Sequence, residues 1–281
     1  MKIGVSMTLS SRSIDVAVLA HQAESLGFES LWLPEHPIIP VHVTTRYQGS
    51  ADGAIPPAMS DMADPFVALA RASAVTTTLK LGTGICLVPE RNPLLLAKEI
   101  ATLDYFSNGR FLFGIGAGWL QEETEIMGGN FAHRWSQTRE AILVMKELWT
   151  KEEAEYHGTF YDFPLVRSFP KPSQQPHPPV LLGGAARNVF QRIVAWGDGW
   201  MPIRVTPEEV KMGRATLDAL AAAAGRDPST MDITVFGQAS DRDTLQRFAE
   251  AGASRAIVRL STTLSDAALT ELEQMAAQVL S

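Results

Sequence analysis

The chain has 281 residues, a formal net charge of −7 at pH 7, 46% hydrophobic residues and 20% charged residues. This acidic balance excludes a general nucleic-acid or membrane-surface binder, because either class needs a basic surface. The composition is typical of a globular protein rather than a disordered one. At this length the chain can bury one large α/β core or divide into two domains.

The number of cysteines and the hydropathy of the chain indicate its cellular compartment. Cys86 is the only cysteine, so an intramolecular disulfide and a thiolate zinc cage are excluded. The sequence has no run of about 18 apolar residues, the length that a transmembrane helix needs. Residues 1–7 lack the long apolar region of a signal peptide and are predicted to form a strand. We therefore expect a cytoplasmic protein with neither nucleic acid nor a membrane as partner.

Short apolar runs alternate with amphipathic stretches along the first half of the chain. Asp64-Pro65 and Asn92-Pro93 indicate helix starts, because Asp and Asn cap helix N-termini and proline suits the first turn. A longer amphipathic pattern predicts a helix from Trp135 to Trp149. The buried strands predicted here span residues 3–7, 30–33, 80–87 and 110–115.

The same alternation continues in the second half. Strands are predicted at residues 180–182, 199–202, 233–236 and 256–260, with helices around 187–196, 206–224, 241–251 and 265–280. Eight strands, each followed by a helix, predict an α/β fold of the (β/α)8 TIM-barrel type, as one domain over residues 1–281. Irregular insertions at 37–63 and 151–178 follow the second and fourth strand units. A doubly wound open sheet is the alternative, which eight units in this length fit less well.

Glu35-His36 comes at the end of the second predicted strand. In a TIM barrel the catalytic groups stand on the loops after such strand ends. A histidine there can act as a general acid or base or contact a cofactor ring oxygen, because the ordinary pKa of imidazole lies close to neutrality. Glu35 either orients the histidine or is a solvated charge. The alternative for His36 is a loop histidine bonded to a backbone carbonyl.

Glycine-rich segments follow three other strands. A glycine within a strand marks a bulge or a place where a ligand approaches the backbone, although simple packing is the alternative. Gly183-Gly184-Ala185 precedes a predicted helix with Arg187 in its first turn. Free N–H groups and the helix dipole there favour an anion such as phosphate, and an ordinary tight turn is the alternative. Thr83, Gly84 and Ile85 on the third strand are candidates for such an approach, and the closely spaced Gly116 and Gly118, with Trp119, would allow a flat ring to lie against the backbone.

Other kinds of site are not supported. The remaining histidines form no metal-binding pair, so no metal is expected. Neither a serine-hydrolase elbow nor a Walker A lysine occurs. Glu122 and Glu123 are sequence neighbours that point apart on a helix, which predicts solvated charges. Cys86 lies between apolar residues and is predicted to be a small buried hydrophobe without a redox role.

Ten segments occur in a characteristic order along nearly the whole chain: AESLGF (23–28), LPEH (33–36), LGTGI (81–85), RNPLLLAK (91–98), TLD with SNGR (102–110), GIGAGW (114–119), LWT (148–150), PPV (178–180), GG (183–184) and GDGW (197–200). Together they resemble the luciferase-like flavin and deazaflavin oxidoreductases of the bacterial luciferase superfamily. The resemblance is greatest to the branch described as coenzyme F420-dependent oxidoreductases.

This resemblance implies a barrel that holds a tricyclic ring in its mouth. It implies a cis peptide bond between Gly84 and Ile85 behind the ring, and His36 near the ring's reactive edge with Glu35 beside it. The other implied cofactor contacts are Gly116, Gly118 and Trp119 along the ring or ribityl chain, and Gly183, Gly184 and Ala185 around the phosphate.

The implied activity is hydride transfer between coenzyme F420 and a small organic substrate, with His36 taking or giving the accompanying proton. Two alternatives remain open. One is an FMN-dependent monooxygenase that uses a partner flavin reductase, and the other is a non-catalytic flavin-binding protein. The resemblance also implies a homodimer. A glutamate tail on F420 would need nearby cations, and the candidates are Arg46, Arg91, Arg134 and Arg204.

Overall fold

Residues 1–261 and 264–280 are described in the computed structural model, except for the side chain of Ser265. The strands are β1 (Lys2–Ser6), β2 (Ser30–Leu33), β3 (Lys80–Thr83), β4 (Cys86–Leu87), β5 (Phe111–Gly116), β6 (Ala154–His157), β7 (Asp162–Val166), β8 (Val180–Gly183), β9 (Gly199–Met201), β10 (Asp232–Gln238) and β11 (Arg255–Arg259).

The helices surround these strands. They are α1 (Val16–Leu26), α2 (Pro65–Ser73), α3 (Pro93–Phe106), α4 (Gln121–Ile126), α5 (Arg134–Thr150), α6 (Val189–Trp196), α7 (Pro207–Ala223), α8 (Arg242–Glu250) and α9 (Ser265–Val279). None of them, over the described part of the chain, combines the length and apolar content that a bilayer span requires. As predicted, the Asp64 and Asn92 side chains cap α2 and α3 by accepting backbone N–H bonds.

Eight parallel strands close into a barrel. The pairing runs β1–β2–β3–β5–β8–β9–β10–β11, and β11 returns to β1 with Lys2 opposite Arg255 and Ser6 opposite Arg259. This ring confirms the (β/α)8 prediction and overturns the open-sheet alternative, because β1 and β11 are paired rather than free edges.

Apolar side chains fill two layers. The barrel interior contains Trp32, Leu112, Leu181, Met201 and Ile257, with Ile85 and Phe236 packed against them. A larger layer lies between the strands and the helices, where each helix buries one face, for example at Leu19, Leu69, Ile100, Ile142 and Leu217. The interior is therefore a packed core rather than a channel.

The structure differs from the predicted elements in four places. The third predicted strand is divided into β3 and β4 by the Gly84–Ile85 segment, and β4 pairs with β5. The second insertion contains the antiparallel hairpin β6–β7 rather than only irregular chain. The extent of helix α4 was not predicted, although Glu122 and Glu123 were expected on a helix, because its six residues Gln-Glu-Glu-Thr-Glu-Ile carry no apolar periodicity. Helix α6 begins at Val189, so Arg187 precedes the helix instead of lying in its first turn.

Candidate active site

A cavity of about 680 Å³ opens at the carboxyl ends of the barrel strands. This size suits one organic ring system and part of a substrate. Residues 45–49 of the first insertion, with Met59 and Met62, cover one side of it. Each barrel strand contributes to the lining, through Met7, His36, Ile85, Trp119, Gly184, Ile203, Phe236 and Arg259 in strand order. The cavity thus lies at the predicted barrel mouth.

All but two of the predicted site residues line this cavity: Glu35, His36, Gly84, Ile85, Gly116, Gly118, Trp119, Gly183 and Gly184. Thr83 is fully buried beneath it, where its hydroxyl donates to the Gly114 carbonyl at 2.7 Å. Ala185 lies exposed on the loop between β8 and α6. Thr83 therefore holds β3 against β5 rather than facing a ligand.

His36 forms a hydrogen-bonded pair with Glu123. The ring Nδ1 lies 2.7 Å from Glu123 Oε2, and the two side chains are 7% and 1% exposed. On the other side of the ring, the Trp119 indole N–H donates to His36 Nε2 at 3.3 Å. Because an indole can only donate, Nε2 is the acceptor and Nδ1 carries the proton that is given to Glu123. The prediction that Glu123 is a solvated charge was wrong, since this side chain is completely buried.

Glu35 faces a different partner from the one predicted. One of its oxygens accepts from the Leu87 amide at 2.9 Å, and the other accepts from Arg91 Nε at 2.5 Å. Arg91 also donates to Asp64 Oδ2 at 2.5 Å. The buried Glu35 carboxylate thus ties the end of β2 to β4 and to Arg91 beyond it, and it is Glu123 that orients His36.

Helix α4 connects three parts of the site through consecutive side chains. Glu122 Oε1 accepts from the Thr44 amide and hydroxyl at 2.5 and 2.7 Å, which lowers the pKa of Glu122 to about 2. Glu123 holds His36, and Thr124 is bonded to Glu90 at 2.8 Å. This short helix therefore joins the first insertion, the histidine and the barrel wall.

Ile85 forms the floor of the cavity and explains two of the glycines. The peptide bond between Gly84 and Ile85 is cis, as the family resemblance implied. A Cβ at Gly116 would lie 2.1 Å from Ile85 Cδ1, and one at Gly183 would lie 2.9 Å from the Ile115 carbonyl oxygen and 3.3 Å from Ile85 Cδ1. Only glycine fits at Gly116 while Ile85 keeps this place, which leaves a flat apolar surface beneath the cavity.

The loop between β8 and α6 offers backbone donors. Gly184 has φ +90°, and Asn188 precedes α6 without a side-chain cap. Within the described residues, the amides of Ala185, Ala186 and Arg187 have no acceptor. Free amides at a helix N-terminus suit a phosphate group.

The four arginines considered for an anionic tail separate into two groups. Arg46 and Arg204 line the cavity and are exposed. Arg91 is committed to Glu35 and Asp64, and Arg134 stacks 4.0 Å from the centre of the Phe131 ring, outside the cavity lining. Arg259, which sequence analysis did not single out, also lines the cavity.

The sequence matches the model of the luciferase-like monooxygenase family over residues 4–280. The chain belongs to this family. The uncharacterized protein Rv0953c of Mycobacterium tuberculosis is 36% identical over 283 residues, covering 99% of each chain. The FMNH(2)-dependent dimethylsulfone monooxygenase of Pseudomonas putida is 31% identical over 159 residues, which are 54% of this chain and 42% of that one.

Solved structures agree with this family's fold. Monooxygenase RslO1 from Streptomyces bottropensis has a TM-score of 0.79 at 21% identity, covering 100% of this chain and 99% of the other. Coenzyme F420 dependent tetrahydromethanopterin reductase from Methanopyrus kandleri has a TM-score of 0.74 at 17% identity, with the same coverage. At these identities the likeness shows the shared barrel alone.

In this luciferase-like protein, sequence reasoning missed Glu123, Thr124 and Glu90. They lie far from His36 in the sequence, and Glu123 stands in an acidic run that is typical of a solvated surface. The available signal was its place shortly after Trp119, since residues that follow a barrel strand end face the mouth.

Proposed function

We propose that the protein is an oxidoreductase that transfers a hydride between coenzyme F420 and a small organic substrate. The observation that carries this proposal is the His36–Glu123 pair on the wall of a cavity that also offers an apolar floor and free backbone amides. When bound, F420 would supply the carbon that gives or receives the hydride. The chain must supply the proton transfer, the orientation and the exclusion of water.

The residues present fit such a cofactor. Ile85, resting on Gly116 and Gly183, gives a flat surface for a tricyclic ring. The free amides after Gly184 would hold its phosphate. Arg46 and Arg204 at the rim would face an anionic tail.

His36 is suited to accept the proton of a substrate hydroxyl. Glu123 fixes the proton on Nδ1, so Nε2 presents its lone pair on the cavity side, where only the 3.3 Å bond from Trp119 has to be exchanged. The buried Glu123 then stabilises the imidazolium, as a carboxylate behind a catalytic histidine does. In the reverse direction the same nitrogen returns the proton to a carbonyl oxygen. Apolar walls at Met7, Met201 and Phe236 keep water away from this exchange.

The second candidate is an FMN-dependent monooxygenase that works with a flavin reductase. Its support is the identity with the FMNH(2)-dependent relative, and the same floor and amides would accept FMN. A non-catalytic flavin-binding protein is less well supported, because it gives no reason for a buried carboxylate behind His36.

Parallel fluorescence titrations of the cofactor-free protein with F420 and FMN test the proposal. We expect F420 to bind at lower concentrations than FMN. Gly184→Ala, which strains the backbone at φ +90° without a steric clash, should weaken binding by about tenfold, equivalent to about 1.4 kcal/mol. Gly225→Ala is the matched control, since Gly225 has φ +72°, equally open surroundings and a position outside the cavity lining.

Each contrary result has a definite meaning. Tighter binding of FMN would replace the proposal with the monooxygenase. Binding of neither cofactor would show that the loop after β8 is not a phosphate site, and equal effects of the two alanine variants would show that strain alone weakens binding.

A further inference from the structure

Glu90 is a buried acid that the proposed mechanism does not use. It ends a short turn at Val88–Glu90, immediately after β4, and is only 2% exposed. Its Oε1 atom lies 2.8 Å from the Thr124 hydroxyl. Its Oε2 atom is buried and has no hydrogen-bond partner among the described residues. A buried carboxylate with a bare oxygen is costly, which requires an explanation.

The hydrogen bonds of Thr124 provide the explanation, because they can all be made only if Glu90 is protonated and therefore uncharged. The Thr124 hydroxyl lies 2.8 Å from Glu90 and 3.1 Å from the Leu120 carbonyl oxygen. A hydroxyl has one proton, and a carbonyl oxygen can only accept. Both bonds are made together if Thr124 donates to Leu120 while Glu90 donates to Thr124. That arrangement requires Glu90 to be a neutral acid.

The surrounding charges agree with a neutral acid. Glu123 on α4 and Glu35 after β2 are negative neighbours, and the positive Arg91 is already bonded to Glu35 and Asp64. Burial, with a further contribution from Glu123, raises the pKa of Glu90 to about 8. The charge of Arg91 acts in the opposite direction without cancelling this effect. Glu90 therefore keeps its proton at neutral pH.

We propose that Glu90 is a positioning residue, which as a neutral acid fixes Thr124 and so holds the helix that presents Glu123 to His36. Its deprotonation ends the donation to Thr124 and puts a second negative charge beside Glu123. The consequence for catalysis rests on the proposed function, because it takes His36 as the group that transfers the proton.

Infrared spectroscopy of the cofactor-free protein tests the protonation directly. We expect the C=O stretch of a protonated carboxylic acid at about pH 6, its loss as the pH rises through about 8, and its absence in Glu90→Gln. Glutamine preserves the shape and can still donate to Thr124. Glu122→Gln, on the helix that carries Thr124, is the control, because the pKa of Glu122 is held at about 2 and its carboxylate contributes no such band. If Glu90→Gln removes no band, the proposal is overturned.

Nuclear magnetic resonance tests the positioning. The ring signals of His36, assigned with His36→Asn, should move as the pH passes about 8 in the wild type and should lose that inflection in Glu90→Gln. An infrared band that titrates while the His36 signals keep the same inflection in both proteins would reduce Glu90 to a purely structural acid. Neither readout needs a cofactor, so failure of F420 to bind would overturn the proposed function and leave this proposal to be decided separately.

Turnover provides a third readout once a substrate is known. The decline of kcat above about pH 8 should flatten in Glu90→Gln, whereas KM should remain within about twofold. A change confined to KM would contradict a role that acts through Glu123 and His36.

Discussion

His36 has only one nitrogen for proton exchange, because the other is committed to Glu123. The two ring nitrogens have different roles because they face different neighbours. The Glu123 carboxylate contacts Nδ1 and the Trp119 indole contacts Nε2, and both belong to the segment after β5. The residue beside it in sequence, Glu35, serves the barrel wall instead. Function at His36 is thus set by packing between two strand ends.

Replacing either member of the pair should reduce turnover while preserving the cofactor site. We expect His36→Ala to lower kcat by roughly 10²–10⁴-fold, the usual contribution of a general acid or base, and Glu123→Gln to lower it by about tenfold or more. Cofactor affinity should change by less than about threefold, because neither residue belongs to the floor or to the loop after β8. Steady-state kinetics and fluorescence titration measure the two effects.

The control for this pair is Glu125→Gln, an exposed carboxylate on the same helix that is bonded to Gln121. It should leave kcat unchanged. Equal losses in Glu123→Gln and Glu125→Gln would mean that helix α4, rather than the carboxylate behind His36, is responsible.

At this scale the sequence allowed half of the pair to be predicted. His36 could be identified because its position at a strand end follows from the barrel count. Glu123 was not identified, although it follows a strand end, because its acidic neighbours indicated a solvated surface and its burial depends on how a six-residue helix folds back over the mouth. Periodicity contains no information about such a fold-back.

Among the elements, α4 anchors the first insertion through Glu122. Glu122 receives three hydrogen bonds from Thr44 and Thr45, at 2.5, 2.7 and 3.2 Å. Because its folded pKa of about 2 lies below the ordinary 4.5, this anchor is complete above about pH 4.5 and is lost as the pH falls towards 2.

Glu122→Ala should therefore release the 37–63 insertion without unfolding the barrel. We expect limited proteolysis at neutral pH to cut this segment several-fold faster than in the wild type, while the thermal midpoint changes by only a few degrees. Glu125→Ala, on the exposed side of α4, is the matched control and should not increase cleavage. Uniform faster cutting of the barrel helices would argue against a local anchor.

Elements with a strong period were predictable and short ones were not. Parallel strands are continuous apolar runs and their helices are amphipathic, so the eight barrel units could be predicted from the residues. The hairpin β6–β7 buries only one residue in each strand, Ala154 and Phe163, so it shows no clear alternation of apolar and polar residues across both strands. The division of β3 from β4 depends on a backbone geometry that the family resemblance indicated and hydropathy did not.

For the whole molecule, the oligomeric state remains a prediction. Val67 on α2 and Leu95 on α3 expose 73% and 59% of their surfaces on neighbouring helices. We expect a homodimer, because exposed apolar residues on adjacent elements favour an interface. Light scattering should give twice the mass of one chain, and Val67→Glu with Leu95→Glu should reduce it. A monomer at working concentration would contradict this expectation.

The fold as a whole was more predictable than its use. Eight strand-helix units in one chain favour a sheet that closes into a barrel over an open sheet. The extent of one domain over residues 1–281 and the cytoplasmic location stay predictions, as does the choice between F420 and FMN. That choice depends on contacts at the rim, where Arg46 and Arg204 are exposed and adaptable.

The pairing of β1 with β11 has a consequence for synthesis on the ribosome. The Ser6 hydroxyl donates to the carbonyl of Val258, a partner 252 residues later in the chain. During translation β1 and β2 emerge before β11, and one side of β1 keeps its backbone groups unpaired until β11 has been made. A nascent chain with such an open edge is a template for association with its neighbours on a polysome. Closure of the barrel therefore waits until β11 has been synthesised, and the interval before it is when a chaperone has most to protect.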